Sequence, residues 1–110
     1  MSEAPAGLFA SPGKRQLVLS LALVAMTLAI YAPLRDYPFI TYDDNLYVTQ
    51  NLPVRTGLNW KSVAWAFTTV EVANYHPITW LSHELDVQLF GLNPAGHHLT
   101  SILLHCLNTM

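Results

Sequence analysis

The stretch QLVLSLALVAMTLAIYAPL, residues Gln16–Leu34, decides the fold of this chain because it holds 19 consecutive residues without a charge. At about 1.5 Å rise per residue, such a helix covers about 28 Å, close to the roughly 30 Å hydrocarbon core of a bilayer. The sequence therefore predicts a transmembrane helix over residues 16–34. A cleaved signal peptide is the alternative, since Lys14 and Arg15 also form a basic start. The length of the run, Tyr31 and Pro33 favour an uncleaved anchor.

The charges on either side of this segment predict its orientation. Lys14 and Arg15 precede it, whereas Arg35 beyond it is followed at once by acidic residues. By the positive-inside rule, the N-terminus lies in the cytoplasm. We therefore expect residues 1–15 to be a disordered cytoplasmic tail and residues 35–96 to be an extracytoplasmic loop.

Composition excludes several classes of protein. Hydrophobic residues make up 52% of the 110 residues and charged residues only 11%, against a usual charged share of about a quarter, which excludes intrinsic disorder. Five Lys and Arg against seven Asp and Glu leave no basic cluster, so no nucleic-acid partner is expected. The single Cys excludes a disulfide framework within the chain.

The loop over residues 35–96 is rich in aromatic residues. Tyr and Trp rings favour the interface between lipid and water, so the loop is expected to lie on the outer leaflet. The alternative is the aromatic core of a small extracytoplasmic domain. The aromatic residues are Tyr37, Phe39, Tyr42, Tyr47, Trp60, Trp65, Phe67, Tyr75, Trp80 and Phe90.

Local signals predict three further helices and hence an all-α membrane protein. Asn59 can cap a helix that begins at Trp60, and its apolar stripe is that of an amphipathic helix lying flat. A second helix is predicted from Pro77 to Gly91, because Pro favours the first turn and Gly the C-terminal cap. A third starts near His97, and residues 97–110 are expected to be the start of a second, truncated transmembrane helix. The predicted stripe consists of Trp60, Val63, Ala64 and Phe67.

Asp43 and Asp44 are the first candidates for chemistry. Adjacent carboxylates in an aromatic setting repel each other, which favours a general acid or base, and either could bind a divalent cation. The alternative is an ordinary polar turn with solvated acids.

The five histidines are the second candidates: His76, His83, His97, His98 and His105. His83–Glu84 begins like the zinc motif H-E-x-x-H, but Val87 stands where the second His is needed, and spacing along the chain predicts no metal site. Imidazoles at the outer face of the membrane could instead donate hydrogen bonds to a phosphate group. The alternative is that they bond to backbone carbonyls.

Five longer runs carry a resemblance to a known family. They are FITYDDNLYV at 39–48, WAFTT at 65–69, NYHPITWLSH at 74–83, LFGLNPAGHHL at 89–99 and LHCLNT at 104–109. From about residue 17 to 110, the chain resembles the N-terminal part of bacterial membrane proteins that join a GT-C-type glycosyltransferase region to C-terminal tetratricopeptide (TPR) repeats, relatives of the transmembrane TPR O-mannosyltransferases.

This resemblance implies a place in the cell (inner) membrane and a polyprenyl-phosphate sugar donor, with a protein as a possible acceptor. It implies that Asp43 or Asp44 takes the proton of the acceptor hydroxyl, and that His76, His97 and His98 face the donor phosphate or the acceptor. The other transmembrane helices and the TPR repeats of such proteins are absent from these residues, so we expect the 110 residues alone to be an inactive fragment.

An alternative function, of a different class, is that of a small membrane-anchored interaction protein. Its aromatic loop would bind a partner or the lipid surface without catalysis, and Trp80 would contact the partner.

Overall fold

The computed structural model describes residue 7 and residues 11–110, and the regular structure in this part of the chain consists of helices, without a strand. The predicted all-α class is therefore confirmed. The predicted disordered tail falls in part on residues 1–6 and 8–10, which lie outside the described residues. The α-helices are α1 (Pro12–Tyr31), α2 (Leu52–Arg55), α3 (Trp60–Thr68), α4 (Pro77–Phe90) and α5 (Pro94–Thr109).

Helix α1 begins at Pro12, earlier than the predicted residue 16, because the Ser11 hydroxyl accepts a hydrogen bond from Lys14 N at 3.3 Å and Pro12 suits the first turn. A 3₁₀ turn, Ala32–Asp36, follows it directly. Together they form one helical segment, Pro12–Asp36, that is long and apolar enough to cross a membrane. Its apolar side chains are mostly exposed, as a lipid-facing helix requires.

The chain divides into two compact units. One contains α1 and residues 102–110, and the other is residues 33–101. In the second unit α4 packs against α2, against α3 and against a π-helical turn, Asn45–Thr49.

The core of the second unit is aromatic. Val54, Ala66 and Trp80, one from each of α2, α3 and α4, have no exposed surface. Tyr47 stacks on Trp80 with ring centroids 4.9 Å apart, and Trp65 meets Trp80 edge-on at the same distance. These three rings therefore form an aromatic core, which was the alternative to a loop lying on the outer leaflet.

Other aromatic side chains point outward, most clearly Trp60, which is 90% exposed. Asn59 caps α3 as predicted, since its Oδ1 accepts from Lys61 N and Ser62 N at 3.0 Å. Ser62 and Ala66 form the buried face of α3, so the predicted apolar stripe faces away from the core.

Helix α4 begins at Pro77 and is capped by Gly91 at φ 60°, which confirms the predicted bounds. Its buried side holds two acidic residues beside the core residue Trp80. Ile78 is 70% exposed, whereas Glu84 and Asp86 are buried.

The connection from α4 to α5 is tight. Helix α5 begins at Pro94 rather than near His97, because Asn93 Oδ1 accepts from Ala95 N at 3.1 Å. The Phe90 ring lies directly over Gly96, where a Cβ atom would overlap it. This corner places the first turn of α5 beside the polar face of α4.

Candidate functional site

Four buried or half-buried polar side chains lie just before α4, on α4 and in the first turns of α5, and we call them the histidine cluster: His76, His83, Asp86 and His97. His76 precedes the first residue of α4, and His83 and Asp86 lie three residues apart on one face of that helix. His97 comes from the first turns of α5.

His97 is held in a single tautomer. Its side chain is 6% exposed, and its Nε2 lies 2.9 Å from the carbonyl oxygen of Gly91. Because a carbonyl only accepts, Nε2 carries the proton, and the neutral ring has its lone pair on Nδ1. That Nδ1 lies 3.8 Å from Asp86 Oδ2, too far for a hydrogen bond, and has no hydrogen-bond partner within the described residues.

Asp86 is oriented from its other side. Thr100 Oγ1 donates a hydrogen bond of 2.5 Å to Asp86 Oδ1, which leaves Oδ2 facing His97. The Phe39 ring meets the His97 ring edge-on at 5.1 Å and fixes its plane. Contacts from outside its own helix thus position each of the two side chains, His97 and Asp86.

His83 also has an unpartnered nitrogen, since its buried Nδ1 has no hydrogen-bond partner in the described part of the chain. Burial lowers the pKa of the His83 imidazole below 6.5; the charge of Asp86 opposes this, His97 and His76 add to it, and Asp44 opposes it. His83 is therefore neutral near pH 7, the form that has a free lone pair.

Three members of the cluster could hold a metal ion. One ligand atom each from His83, Asp86 and His97 lie within 4.8 Å of one another. Two imidazoles and one carboxylate are a donor set that divalent transition metals bind.

The two predicted acids have different environments. Asp44 is half-buried, and its Oδ2 accepts a hydrogen bond from Ile40 N at 2.9 Å. Its charge also acts on His83. The Asp43 side chain is exposed, and its backbone carbonyl closes the turn by accepting from Tyr47 N at 3.0 Å. Of the pair, Asp44 is the acid whose charge reaches the histidine cluster.

The three predicted histidines are only partly brought together. His76 lies beside Trp80, with ring centroids 5.1 Å apart, and its charge acts on His83, as that of His97 does. His98 is not among the residues grouped with His83, and its ring centroid lies 6.3 Å from that of Phe39.

Sequence reasoning considered His83 among the five histidines but gave it no role in the site, and it missed Asp86 and Thr100. The available signal was the His-x-x-Asp spacing on one face of α4. This spacing differs from the motif H-E-x-x-H, in which both histidines lie on one helix. Here the second histidine, His97, comes from α5.

A separate pocket of about 340 Å³ lies at the π-helical turn and is bordered by Asn51 and Glu71. Asn51 Nδ2 donates to Glu71 Oε2 at 3.3 Å. Directly after it, Val72 and Ala73 have φ of 56° and 57°. Such left-handed residues cost about 1–3 kcal/mol each and often occur near functional sites.

Comparison with known proteins finds one informative match. No protein-family model matches the chain, and no solved structure matches it. The chain is 34% identical over 77 residues to the protein O-mannosyl-transferase TMTC1 of Mus musculus. The alignment covers 63% of this chain and only 8% of the mouse protein. The relation to O-mannosyl-transferases that the sequence motifs predicted is therefore supported, over a small part of such a protein.

Proposed function

We propose that this chain forms part of a membrane glycosyltransferase-like protein that transfers a sugar from a polyprenyl-phosphate donor to an acceptor hydroxyl. The observation that carries the proposal is that the charge of the half-buried Asp44 acts on His83, in a chain similar to an O-mannosyl-transferase. The apolar segment Pro12–Asp36 supports a place at the membrane, where a lipid-linked donor resides.

The proposed reaction assigns one role to the acid and one to the histidines. The acceptor oxygen attacks the anomeric carbon, the bond from that carbon to the phosphate oxygen breaks, and polyprenyl phosphate leaves with the electron pair. Asp44 takes the proton of the acceptor hydroxyl. His76 and His98 have buried Nε2 atoms without a hydrogen-bond partner among the described residues and are proposed to donate to the phosphate, whereas the Nε2 of His97 already donates to Gly91.

The test uses membranes that contain the natural gene product and a labelled polyprenyl-phosphate sugar. Asp44→Asn is expected to lower transfer about 100-fold or more, the usual contribution of a general base. Asp43→Asn is expected to lower it less, because that side chain is exposed. The matched control is Asp36→Asn, an exposed acid that pairs with Arg35. Normal transfer by both the Asp43 and the Asp44 variant would contradict the proposal.

A second candidate is a membrane-anchored interaction protein without catalysis, and the outward apolar face of α3 favours it. The expected partner contact by Trp80 is wrong, because this side chain is fully buried in the core. Trp60, 90% exposed, takes its place.

For this candidate, Trp60→Ala is expected to weaken binding of the chain to its partner or to lipid vesicles, while transfer is unaffected. Lys61→Ala, on the next residue, is the control. Equal binding by the two variants would exclude the interaction function of α3.

A further inference from the structure

We propose that His83, Asp86 and His97 bind one Zn²⁺ ion through two imidazole nitrogens and one carboxylate oxygen. The proposal concerns binding and does not depend on sugar transfer. It differs from the cation expected at Asp43 or Asp44, since the ligands come from α4 and α5.

The spacing of the ligand atoms fits a zinc ion. With Zn–N and Zn–O bonds of about 2.1 Å in a tetrahedron, neighbouring ligand atoms lie about 3.4 Å apart. His97 Nδ1 and Asp86 Oδ2 are 3.8 Å apart, and all three candidate atoms lie within 4.8 Å. Small rotations of these side chains bring them to the bonding distance.

The tautomer of His97 gives a second, independent argument. Its Nε2–H donates to the Gly91 carbonyl, so the lone pair of Nδ1 points toward Asp86. Histidines that bind metals almost always donate their other N–H to a carbonyl or carboxylate in this way. Asp86 is supported likewise, because Thr100 binds the oxygen that does not face His97.

The unpartnered nitrogens give the third argument. His97 Nδ1 and His83 Nδ1 are buried without a hydrogen bond to any described residue. A buried polar atom without a partner costs about 1–3 kcal/mol. A direct ion pair does not remove this cost, since the 3.8 Å gap to Asp86 exceeds hydrogen-bond length. A cation between the three groups satisfies both nitrogens and neutralises the buried carboxylate.

The donor set favours zinc over calcium or magnesium. Those two ions prefer oxygen ligands, whereas Zn²⁺ binds imidazole and carboxylate in four-coordinate sites. Three protein ligands leave one position for water or for an oxygen of another molecule.

The experiment measures Zn²⁺ binding by the full chain in detergent micelles, without a histidine tag and after removal of metal with EDTA. Competition with a chromophoric chelator is expected to give one tight site per chain. Co²⁺ in place of Zn²⁺ is expected to show the intense visible bands of a four-coordinate ion. A six-coordinate Co²⁺ spectrum, or no tight site, would overturn the proposal.

The variants identify the ligands. Asp86→Asn and His97→Gln each remove a ligand and are expected to lower the affinity at least 100-fold. Thr100→Val keeps all three ligands and is expected to lower it about tenfold or more, as losses of supporting hydrogen bonds do. His105→Gln removes a histidine outside the cluster and is expected to change nothing.

Thr100→Val also decides the matter where a ligand variant fails to fold, because it replaces a hydroxyl with a methyl group. Unchanged affinity in both Thr100→Val and Asp86→Asn, or an equal loss in His105→Gln, would refute the site. Zinc binding together with normal transfer by the Asp43 and Asp44 variants would refute the proposed function and leave the zinc site standing.

Discussion

Glu84 lies in surroundings where a carboxylate is seldom found. Its side chain is fully buried on α4, and neither carboxylate oxygen has a hydrogen-bond partner in the described part of the chain. Burial raises the pKa of Glu84 above its ordinary 4.5, and the nearby Ser62 hydroxyl lowers it by less. The folded chain therefore holds a proton at pH values where the unfolded chain has lost it.

This protonation predicts a pH dependence of stability. Because the folded-state pKa is the higher one, the contribution of Glu84 is fully favourable below pH 4.5 and is lost as the pH rises through the folded value. Glu84→Gln has nearly the same shape and no charge, so it is expected to be more stable than the natural chain near pH 7 and equal to it at low pH.

The measurement is thermal unfolding between pH 4 and 8 in the presence of a chelator, so that no bound metal contributes. The exposed Glu71 supplies the control variant Glu71→Gln. A difference between Glu84→Gln and the natural chain that stays constant with pH would show that the pKa of Glu84 is the same in the folded and the unfolded chain.

At the scale of the elements, the corner between α4 and α5 determines whether the histidine cluster forms. Gly91 ends α4 with a positive φ, and its carbonyl binds His97. Gly96 lets the Phe90 ring lie against the first turns of α5. The glycines on the two sides of this corner, Gly91 and Gly96, thus both help to fix the position of His97.

Gly96→Ala is expected to destabilise the chain by about 1–3 kcal/mol, the usual cost of overpacking, because the new Cβ would overlap the Phe90 side chain close to its backbone. The matched control is Gly13→Ala in α1, where a Cβ has no neighbour within 4 Å and the change is expected to be neutral or stabilising. Urea unfolding in micelles measures both. Equal stability of the two variants would show that Phe90 does not pack on Gly96.

The helices also show which features the sequence could predict. The start of α3 at Asn59 and both ends of α4 depend on caps, Pro and Gly, which act within a few residues and can be read locally. The burial of Glu84 and Asp86 could not be read in this way. An apolar stripe predicts a helix, but it does not predict which face is buried when the outer surface is itself apolar.

The candidate site was predictable only in part for a related reason. The sequence predicts Asp44 as a general acid or base and His76 and His97 as donors to a phosphate group. Their meeting with His83 and Asp86 depends on the α4–α5 corner, and α5 begins at Pro94 rather than near His97. Periodicity along one helix carries no information about a contact between two helices.

At the scale of the whole molecule, the charge distribution predicts how the chain lies in a membrane. Lys14 and Arg15 stand at the start of α1, and three of the next four charges along the chain are acidic: Arg35, Asp36, Asp43 and Asp44. Basic residues are retained on the cytoplasmic side, so residues 35–96 and the histidine cluster are expected outside the cytoplasm. Only there would the cluster meet extracytoplasmic zinc or an outer-leaflet donor.

A reporter that is active only outside the cytoplasm, inserted in the exposed Gly91–Asn93 turn, is therefore expected to be active, and the same reporter at the N-terminus inactive. Changing both Lys14 and Arg15 to Glu removes the retained charges and is expected to reduce or reverse this difference. Lys61→Glu, well inside the loop, is the control and is expected to have little effect, because the rule depends on charges close to the ends of the span. Activity at the N-terminus of the natural chain would place Asp44 and the histidine cluster in the cytoplasm, and an outer-leaflet donor could then not reach them.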